Sequence, residues 1–215
     1  GGIYLDVEAN QAELLLKRLQ LYKLRSAVEI RESDLHCFVS DQASTDGFMA
    51  DPRHPALPHR TYRESYAGAQ DGTAFYESKR LVLGIPESGD WIPDRSFPME
   101  MGIRYLHGIS DTKGCYVGQE IVARTKIRGT LRKAVHKVQA ANSTDSLPAP
   151  DTDIMQQDRV VGTMRSASGQ NGIALLAFDA VAQSLMHPLV ANGIPLRAEL
   201  PEWFPAPATS EIAEQ

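Results

Sequence analysis

Residues 159–178 read Arg-Val-Val-Gly-Thr-Met-Arg-Ser-Ala-Ser-Gly-Gln-Asn-Gly-Ile-Ala-Leu-Leu-Ala-Phe. The runs Arg159–Ser166 and Gly172–Phe178 have the composition of strands, and the Gly-rich segment between them predicts a tight hairpin turn. Two further strand-like segments, Ala134–Val138 and Ile194–Leu200, lie on either side of this hairpin in the sequence. Short strands at this spacing predict a small antiparallel β-barrel in the C-terminal part of the chain.

The region before the barrel is predicted to mix helices and strands. Asn10 and Glu13 resemble a capping box at the start of a helix from about residue 11 to residue 23, with Leu15 and Leu19 on one face. The other predicted elements are an antiparallel hairpin of 26–30 and 35–40, a short strand near Met49, and helices over 73–83, 98–107 and 119–128. Between 41 and 71 the sequence predicts a long irregular connection.

The expected fold class is therefore α+β, in three segments. Residues 1–128 form an α/β region, residues 129–204 the barrel, and residues 205–215 a disordered tail. The predicted hairpin near the start of the chain needs partner strands to bury both of its faces, and segments before Gly1 are one expected source of them. The family resemblance described below implies that the first strands of the α/β region are missing from this chain. The start at Gly1, with no initiator Met and no visible leader, fits a fragment or a processed product.

Composition narrows the functional classes. The net charge of −5 gives no general attraction to nucleic acid or to anionic membranes. No apolar run approaches the roughly 18 residues of a membrane span, so an integral membrane protein is not expected. The two cysteines, Cys37 and Cys115, form no C-x-x-C motif, and the six histidines show no pairwise ligand spacing. A tightly bound metal is therefore not expected, and Cys37 is interpreted as a core residue of its strand.

The most unusual segment is residues 111–124, in which two glycines bracket the pair Cys115 and Tyr116. If the helix predicted from Gln119 forms, Cys115 lies just before its N-terminus, where free amide groups and the helix dipole stabilise a thiolate. Lys113 adds positive charge if the loop folds back. The sequence leaves a plainer interpretation open, in which Cys115 is a small buried residue and the glycines only shape a turn.

The segment Lys113-Gly114-Cys115-Tyr116-Val117-Gly118-Gln119-Glu120 is similar to the signature of the YgfZ family, which are folate-binding proteins implicated in the assembly and repair of iron–sulfur clusters. These proteins are related to the glycine-cleavage T-protein, an aminomethyltransferase. The resemblance extends over nearly the whole chain, through segments 22–25, 84–87, 97–100 and 200–203. It implies a T-protein-like fold that binds tetrahydrofolate or a folate derivative in a central channel.

The resemblance also implies roles for individual residues. Cys115 and Lys113 would be the catalytic pair, and Glu100 matches the carboxylate that holds the pterin ring in the T-protein relatives. The further folate contacts would come from the end of the signature and the residues after it, namely Tyr116, Gln119, Glu120 and Arg124. Plainer interpretations remain open: Glu100 could form an exposed pair with Arg104, Glu120 and Arg124 could be solvated, and the aromatic side chains of Trp91, Tyr105 and Tyr116 could belong to the core.

The leading functional hypothesis is a folate-binding accessory protein that assembles or repairs iron–sulfur clusters in target enzymes through its signature cysteine. The expected partners are folate and iron–sulfur assembly factors or client enzymes, in the bacterial cytoplasm or the mitochondrial matrix. The resemblance specifies no reaction and leaves a folate-dependent, transferase-like activity open. The alternatives are an aminomethyltransferase that transfers a one-carbon unit to tetrahydrofolate, and an RNA-binding module; an effect on tRNA modification is more simply explained through cluster-dependent enzymes.

Overall fold

The computed structural model describes residues 2–42, 47–92, 95–110, 112–116, 118–120, 122 and 131–206. Two predictions fall largely outside these residues. The first is the end of the helix predicted over 119–128, which includes Arg124. The second is most of the tail predicted after residue 204. The boundaries predicted between the three segments stay predictions.

The C-terminal half of the chain forms a closed antiparallel barrel of six strands, which confirms the predicted barrel. The strands are β3 Lys133–Ala140, β4 Asp153–Gln156, β5 Arg159–Ser168, β6 Asn171–Ala177, β7 Leu189–Ala191 and β8 Ile194–Glu199, and a short helix, α3 Phe178–Ala182, follows β6. Their order around the barrel is β3-β6-β5-β4-β7-β8. The four predicted strands are β3, β5, β6 and β8. The short strands β4 and β7 carry too few residues to show an alternating pattern in the sequence.

The barrel interior is filled by aliphatic side chains. The largest cluster joins residues of all six strands with Ala180, and Ile154, Met164, Leu176 and Leu189 in this cluster are fully buried. Strands β5 and β6 are joined by a two-residue turn, because Ser168 pairs directly with Asn171. The hairpin predicted from the sequence is thus present, with β5 two residues longer than expected and β6 shifted by one residue.

The first helix, α1 Ala9–Tyr22, begins two residues earlier than predicted. Glu8 is its N-cap residue and makes no side-chain capping bond, while Asn10 lies inside the helix. The predicted capping box is therefore wrong, and Glu13 instead pairs with Lys17 one turn later at 2.5 Å. No residue of α1 is buried.

The predicted hairpin of 26–30 and 35–40 is also wrong in its pairing. Residues 26–30 form no strand, and β1 His36–Ser40 pairs antiparallel with β2 His59–Arg63. The short strand predicted near Met49 is present as a single bridge to Arg60. Because this two-stranded sheet leaves part of its surface open, Cys37 is exposed, which corrects its interpretation as a core residue.

Helix α2 Thr73–Leu83 matches its prediction, and Gly84 ends it in the left-handed conformation. Gly72, not Thr73, is its N-cap residue. The helix packs against β5 and β6, and its buried Arg80 binds Asp90 at 2.9 Å and the Ser166 hydroxyl of β5 at 2.8 Å. Asp90 in turn accepts the backbone N–H of Ser166, so this buried ion pair fastens the α/β region to the barrel.

The helix predicted over 98–107 is a series of turns. Its middle residue, Gly102, has a φ of +69°, which interrupts a right-handed helix. The ring of Trp203 lies where a side chain at position 102 would be, with its Cζ3 atom only 2.5 Å from an ideal Cβ. Pro98, which suits the first position of a helix, and Gly108, which suits the position after its end, are the local signals that predicted a helix here. The contact with Trp203 has overridden them. Among the residues that the structure describes, no helix is long and apolar enough to cross a membrane.

Candidate functional site

A cavity of about 650 Å³ lies in the α/β region. Its walls come from the segment after α2, from the series of turns over 98–108, and from residue 11 of α1. The lining residues are Gln11, Pro52, Arg53, Pro86, Glu87, Ser88, Trp91, Ile92, Ser96, Ile103, Leu106, His107 and Gly108. A mainly apolar cavity of this volume with a few polar side chains is typical of a small-molecule site.

The polar part of the cavity wall is organised around Arg53. Its guanidinium makes two hydrogen bonds to the Asp51 carboxylate, at 3.0 and 2.8 Å, and a third to Glu87 at 2.7 Å. Burial opposes the charge on Asp51, but the bonds from Arg53 outweigh it and hold the pKa of this carboxyl below its ordinary value. Burial and the neighbouring Glu87 raise the pKa of Tyr76 to about 12, so Tyr76 stays protonated and its hydroxyl donates a hydrogen bond to the Glu87 carboxylate.

This network makes Arg53 a structural centre of the wall. Its positive charge faces two carboxylates, and the bidentate geometry with Asp51 is the strongest arrangement that a guanidinium adopts with an anion. Arg60 adds a second cation, 2.7 Å from Asp51, so the charges of the two arginines and the two carboxylates balance. The orienting groups that remain for a ligand are the hydroxyls of Ser88 and Ser96, the amide of Gln11 and the imidazole of His107.

The aromatic candidates separate in the structure. Trp91 lines the cavity and is half-buried. Tyr105 belongs to the core, where its ring lies 5.1 Å from that of Phe204 in an edge-on arrangement. Tyr116 lies in the signature segment and contacts Lys113.

Glu100 is not among the residues that line the cavity. Its side chain is 9% exposed, and its backbone oxygen accepts the N–H of Val135 from β3 at 2.8 Å. Burial raises the pKa of this carboxyl, and the positive charge of Lys133 opposes that shift. An exposed ion pair with Arg104 does not describe this environment.

The signature segment presents Cys115 to solvent, so the interpretation of this residue as a buried core cysteine is wrong. Lys113 and Gly114 are also exposed, and Tyr116 is half-buried. The ammonium of Lys113 lies 4.5 Å from the centre of the Tyr116 ring. Gln119 and Glu120 are helical, which places Cys115 just before a helical turn, as predicted from the sequence.

The structure does not bring all the predicted site residues together. Cys115 follows the cavity residue Gly108 by seven positions, which limits their separation to about 25 Å along a fully extended chain. Tyr116, Gln119 and Glu120 belong to the signature segment and do not line the cavity, and Arg124 lies outside the described residues.

The polar residues of the cavity wall were not predicted from the sequence. Arg53 comes from a segment interpreted as irregular connection, and its importance follows only from its contacts with Asp51, Glu87 and Tyr76. Ser96 and His107 carry no spacing signal. Glu87 appeared in the sequence only as part of a segment that resembles the family. In the described residues, no group of three or more His, Cys, Asp and Glu side chains is arranged to hold a metal ion.

Comparison with known proteins first identifies the class of the C-terminal domain. Residues 132–206 match the family described as CAF17, C-terminal beta-barrel domain. These boundaries include all six strands of the barrel and the segment that contains Trp203. The barrel is thus a domain of a recognised type, attached to the α/β region that contains the cavity and the signature cysteine.

Curated relatives extend the comparison to the whole chain. The human protein described as iron-sulfur cluster assembly factor IBA57, mitochondrial, is 29% identical over 95% of this chain and 65% of its own length. The mouse protein of the same description is 26% identical over 95% of this chain and 64% of its own length. The homologue from Phaeosphaeria nodorum is 30% identical over 80% of this chain and 52% of its own length.

The chain is thus similar over most of its length to proteins described as iron-sulfur cluster assembly factors, which agrees with the resemblance of its signature. It spans between about half and two thirds of the length of these relatives.

Proposed function

We propose that this chain acts in the assembly or repair of iron–sulfur clusters, binds a tetrahydrofolate, and uses Cys115 as its reactive group. The observation that carries the proposal is the exposed Cys115 thiol within a complete family signature. The printed names of the relatives support the assembly role. Because these relatives are described as mitochondrial, the mitochondrial matrix is the proposed location.

The proposed role of Cys115 is transient ligation of iron. The thiol gives up its proton, its sulfur forms a bond to an iron atom of a cluster carried by a partner, and one thiolate of that partner leaves the iron and takes up a proton. No electron transfer is needed for this exchange. A single exposed thiol is suited to it, because a lone ligand binds a cluster weakly enough to release it. The partners would be iron–sulfur assembly factors or client enzymes.

The proposed folate site is the cavity of about 650 Å³. The residues there fit the ligand: Trp91 offers a ring face for stacking, Ile103 and Leu106 line an apolar wall, and Ser88 and Ser96 offer hydroxyls for the polar edge of a pterin. The buried carboxyl of Glu100 would have to turn toward the cavity to accept pterin N–H groups. Tyr116, Gln119, Glu120 and Arg124 stay proposed contacts for the rest of the molecule.

Calorimetry with tetrahydrofolate and its 5-formyl derivative tests the folate site. We expect Trp91→Ala to weaken binding by about five- to 150-fold, the range that loss of one stacking contact produces. Leu185→Ala is the matched control, because Leu185 is 99% exposed on the barrel and lies outside the cavity lining. Failure of the unchanged protein to bind either folate would remove the cofactor from the proposal.

Complementation of cells that lack the native protein tests the thiol. We expect Cys115→Ala to abolish recovery of cluster-dependent enzyme activities while the protein stays folded and still binds folate. Cys37→Ala is the control, since Cys37 is also exposed but lies on β1, outside the signature. Full recovery with Cys115→Ala would contradict the proposal and favour aminomethyl transfer to tetrahydrofolate, for which no thiol is required.

A further inference from the structure

A short turn, residues 87–91, supplies part of the cavity wall and is called the cavity turn below. It consists of one turn of 3₁₀ helix, Ser88–Asp90, with a flanking residue on each side. Glu87, Ser88 and Trp91 of this turn line the cavity. A single 3₁₀ turn is not stable by itself, because its hydrogen-bond geometry is poor and it is far too short to propagate. The position of these side chains therefore depends on contacts with other parts of the chain.

Those contacts converge on the carboxylate of Asp90, which is fully buried. One of its oxygens accepts the backbone N–H of Glu87 at 2.8 Å and the guanidinium of Arg80, from α2, at 2.9 Å. The other oxygen accepts the backbone N–H of Ser166, from β5 of the barrel, at 2.9 Å. A buried carboxylate that accepts from three separate segments holds them together, because the loss of any donor leaves part of its charge uncompensated away from water.

Strand β5 is irregular at the place where it contacts Asp90. From position 164 to position 167 it takes three steps, whereas the paired residues of β6, from 174 to 172, take two. The extra residue makes a β-bulge, a feature that redirects backbone and side chains out of the regular ladder. Ser166 lies in this bulge, donates its N–H to Asp90, and accepts a second hydrogen bond through its hydroxyl, from Arg80 at 2.8 Å. One barrel residue thus contacts both α2 and the cavity turn.

We infer that Ser166 is a positioning residue for the cavity, which fixes the cavity turn through Asp90 so that the barrel sets the affinity of the cavity for its ligand. A ring that is held in place before binding loses less conformational entropy when a ligand stacks on it, and Trp91 is the ring concerned. The inference rests on the proposed binding of a tetrahydrofolate and adds the barrel as the element that tunes it. By linkage the coupling is reciprocal, so an occupied cavity also stabilises the contacts of the bulge.

The test first follows the ring of Trp91 in the purified chain without any ligand. The chain has two tryptophans, Trp91 and Trp203, so labelling with fluorotryptophan gives two fluorine NMR resonances, which a Trp91→Phe variant assigns. Ser166→Ala removes the hydroxyl that accepts from Arg80, and Ser166→Thr keeps a hydroxyl at this position. Ile154→Val is the control, because Ile154 is fully buried in the barrel core and its truncation lowers stability while the contacts of Ser166 stay in place.

We expect the Trp91 resonance to shift in Ser166→Ala and to keep the parent position in Ser166→Thr and in Ile154→Val. Calorimetry with 5-formyltetrahydrofolate should show binding weakened about five- to tenfold by Ser166→Ala, the lower part of the range for coupled sites, and changed by less than about twofold in the other two variants. An unchanged Trp91 resonance in Ser166→Ala, or an equal shift in Ile154→Val, overturns the inference. If the parent chain binds no folate, the proposed function fails, whereas the fluorine spectra need no ligand and still decide whether Ser166 positions the cavity turn.

Discussion

A glycine substitution in the series of turns offers the sharpest test of the structure. Gly102→Ala forces a side chain into a φ of +69°, which costs about 1–2 kcal/mol. The new Cβ would also lie 2.5 Å from the Trp203 ring and 3.0 Å from Phe204, and such overlap in a packed region costs a further 1–3 kcal/mol or so. The free energy of unfolding should therefore fall by about 2–5 kcal/mol, a large part of the stability of a typical domain.

Two other glycines separate these effects. Gly169 has a φ of +60° with nothing within 4 Å of an ideal Cβ, so Gly169→Ala should show the conformational cost alone. Gly114 lacks both constraints, and Gly114→Ala should leave stability within about 0.5 kcal/mol of the parent. Urea unfolding followed by tryptophan fluorescence gives the three values. A loss at Gly102 no greater than that at Gly169 would show that the Trp203 ring does not pack against Gly102 as described.

Three further predictions concern buried polar contacts. Arg80→Met should lower the free energy of unfolding, measured in urea, by about 3–5 kcal/mol, because it leaves the fully buried Asp90 without its cation. Adding Asp90→Asn to this variant should restore part of the loss. Burial lowers the pKa of His136 to about 4 from an ordinary value of 6.5, so the unfolded chain binds a proton at a higher pH than the folded chain does. The free energy of unfolding that is present above pH 6.5 should therefore fall by up to about 3 kcal/mol as the pH approaches 4. His136→Leu should give a shallower dependence of the free energy of unfolding on pH. Trp203→Phe removes the indole N–H that donates to the Leu83 oxygen at 2.8 Å and should cost about 1–3 kcal/mol; a midpoint of thermal unfolding equal to that of the parent would contradict this role.

Elements with a strong local signal were predicted well. Helix α2 has a clear start and a Gly84 stop, and strands β5 and β6 have a Gly-rich turn between two apolar runs. Their local preference and their tertiary packing agree, so the pattern alone was sufficient. The exposed position of Cys115 before a helical turn was likewise among the alternatives that the sequence offered.

Elements that depend on distant partners were predicted poorly. Strand β1 pairs with β2, whose first residue His59 follows the last residue of β1, Ser40, by 19 positions. It does not pair with the nearer apolar segment 26–30. Residues 98–107 have the end signals of a helix, but the backbone at Gly102 is left-handed and the ring of Trp203, which follows the last barrel strand, packs against it. Alternation and capping describe a segment in isolation, and neither carries information about which surface will cover it.

The signature around Cys115, the barrel hairpin and the family resemblance could all be recognised in the linear order of residues, because each depends on neighbours within a few positions. The cavity could not. Its wall joins Gln11, Arg53, Trp91 and His107 from separated segments, and the charges that surround Arg53 come from Asp51 and Glu87. Which polar groups meet, and whether a thiol or a carboxyl faces water, is decided by packing across the whole chain, since burial and electrostatic partners exist only once distant segments are in contact.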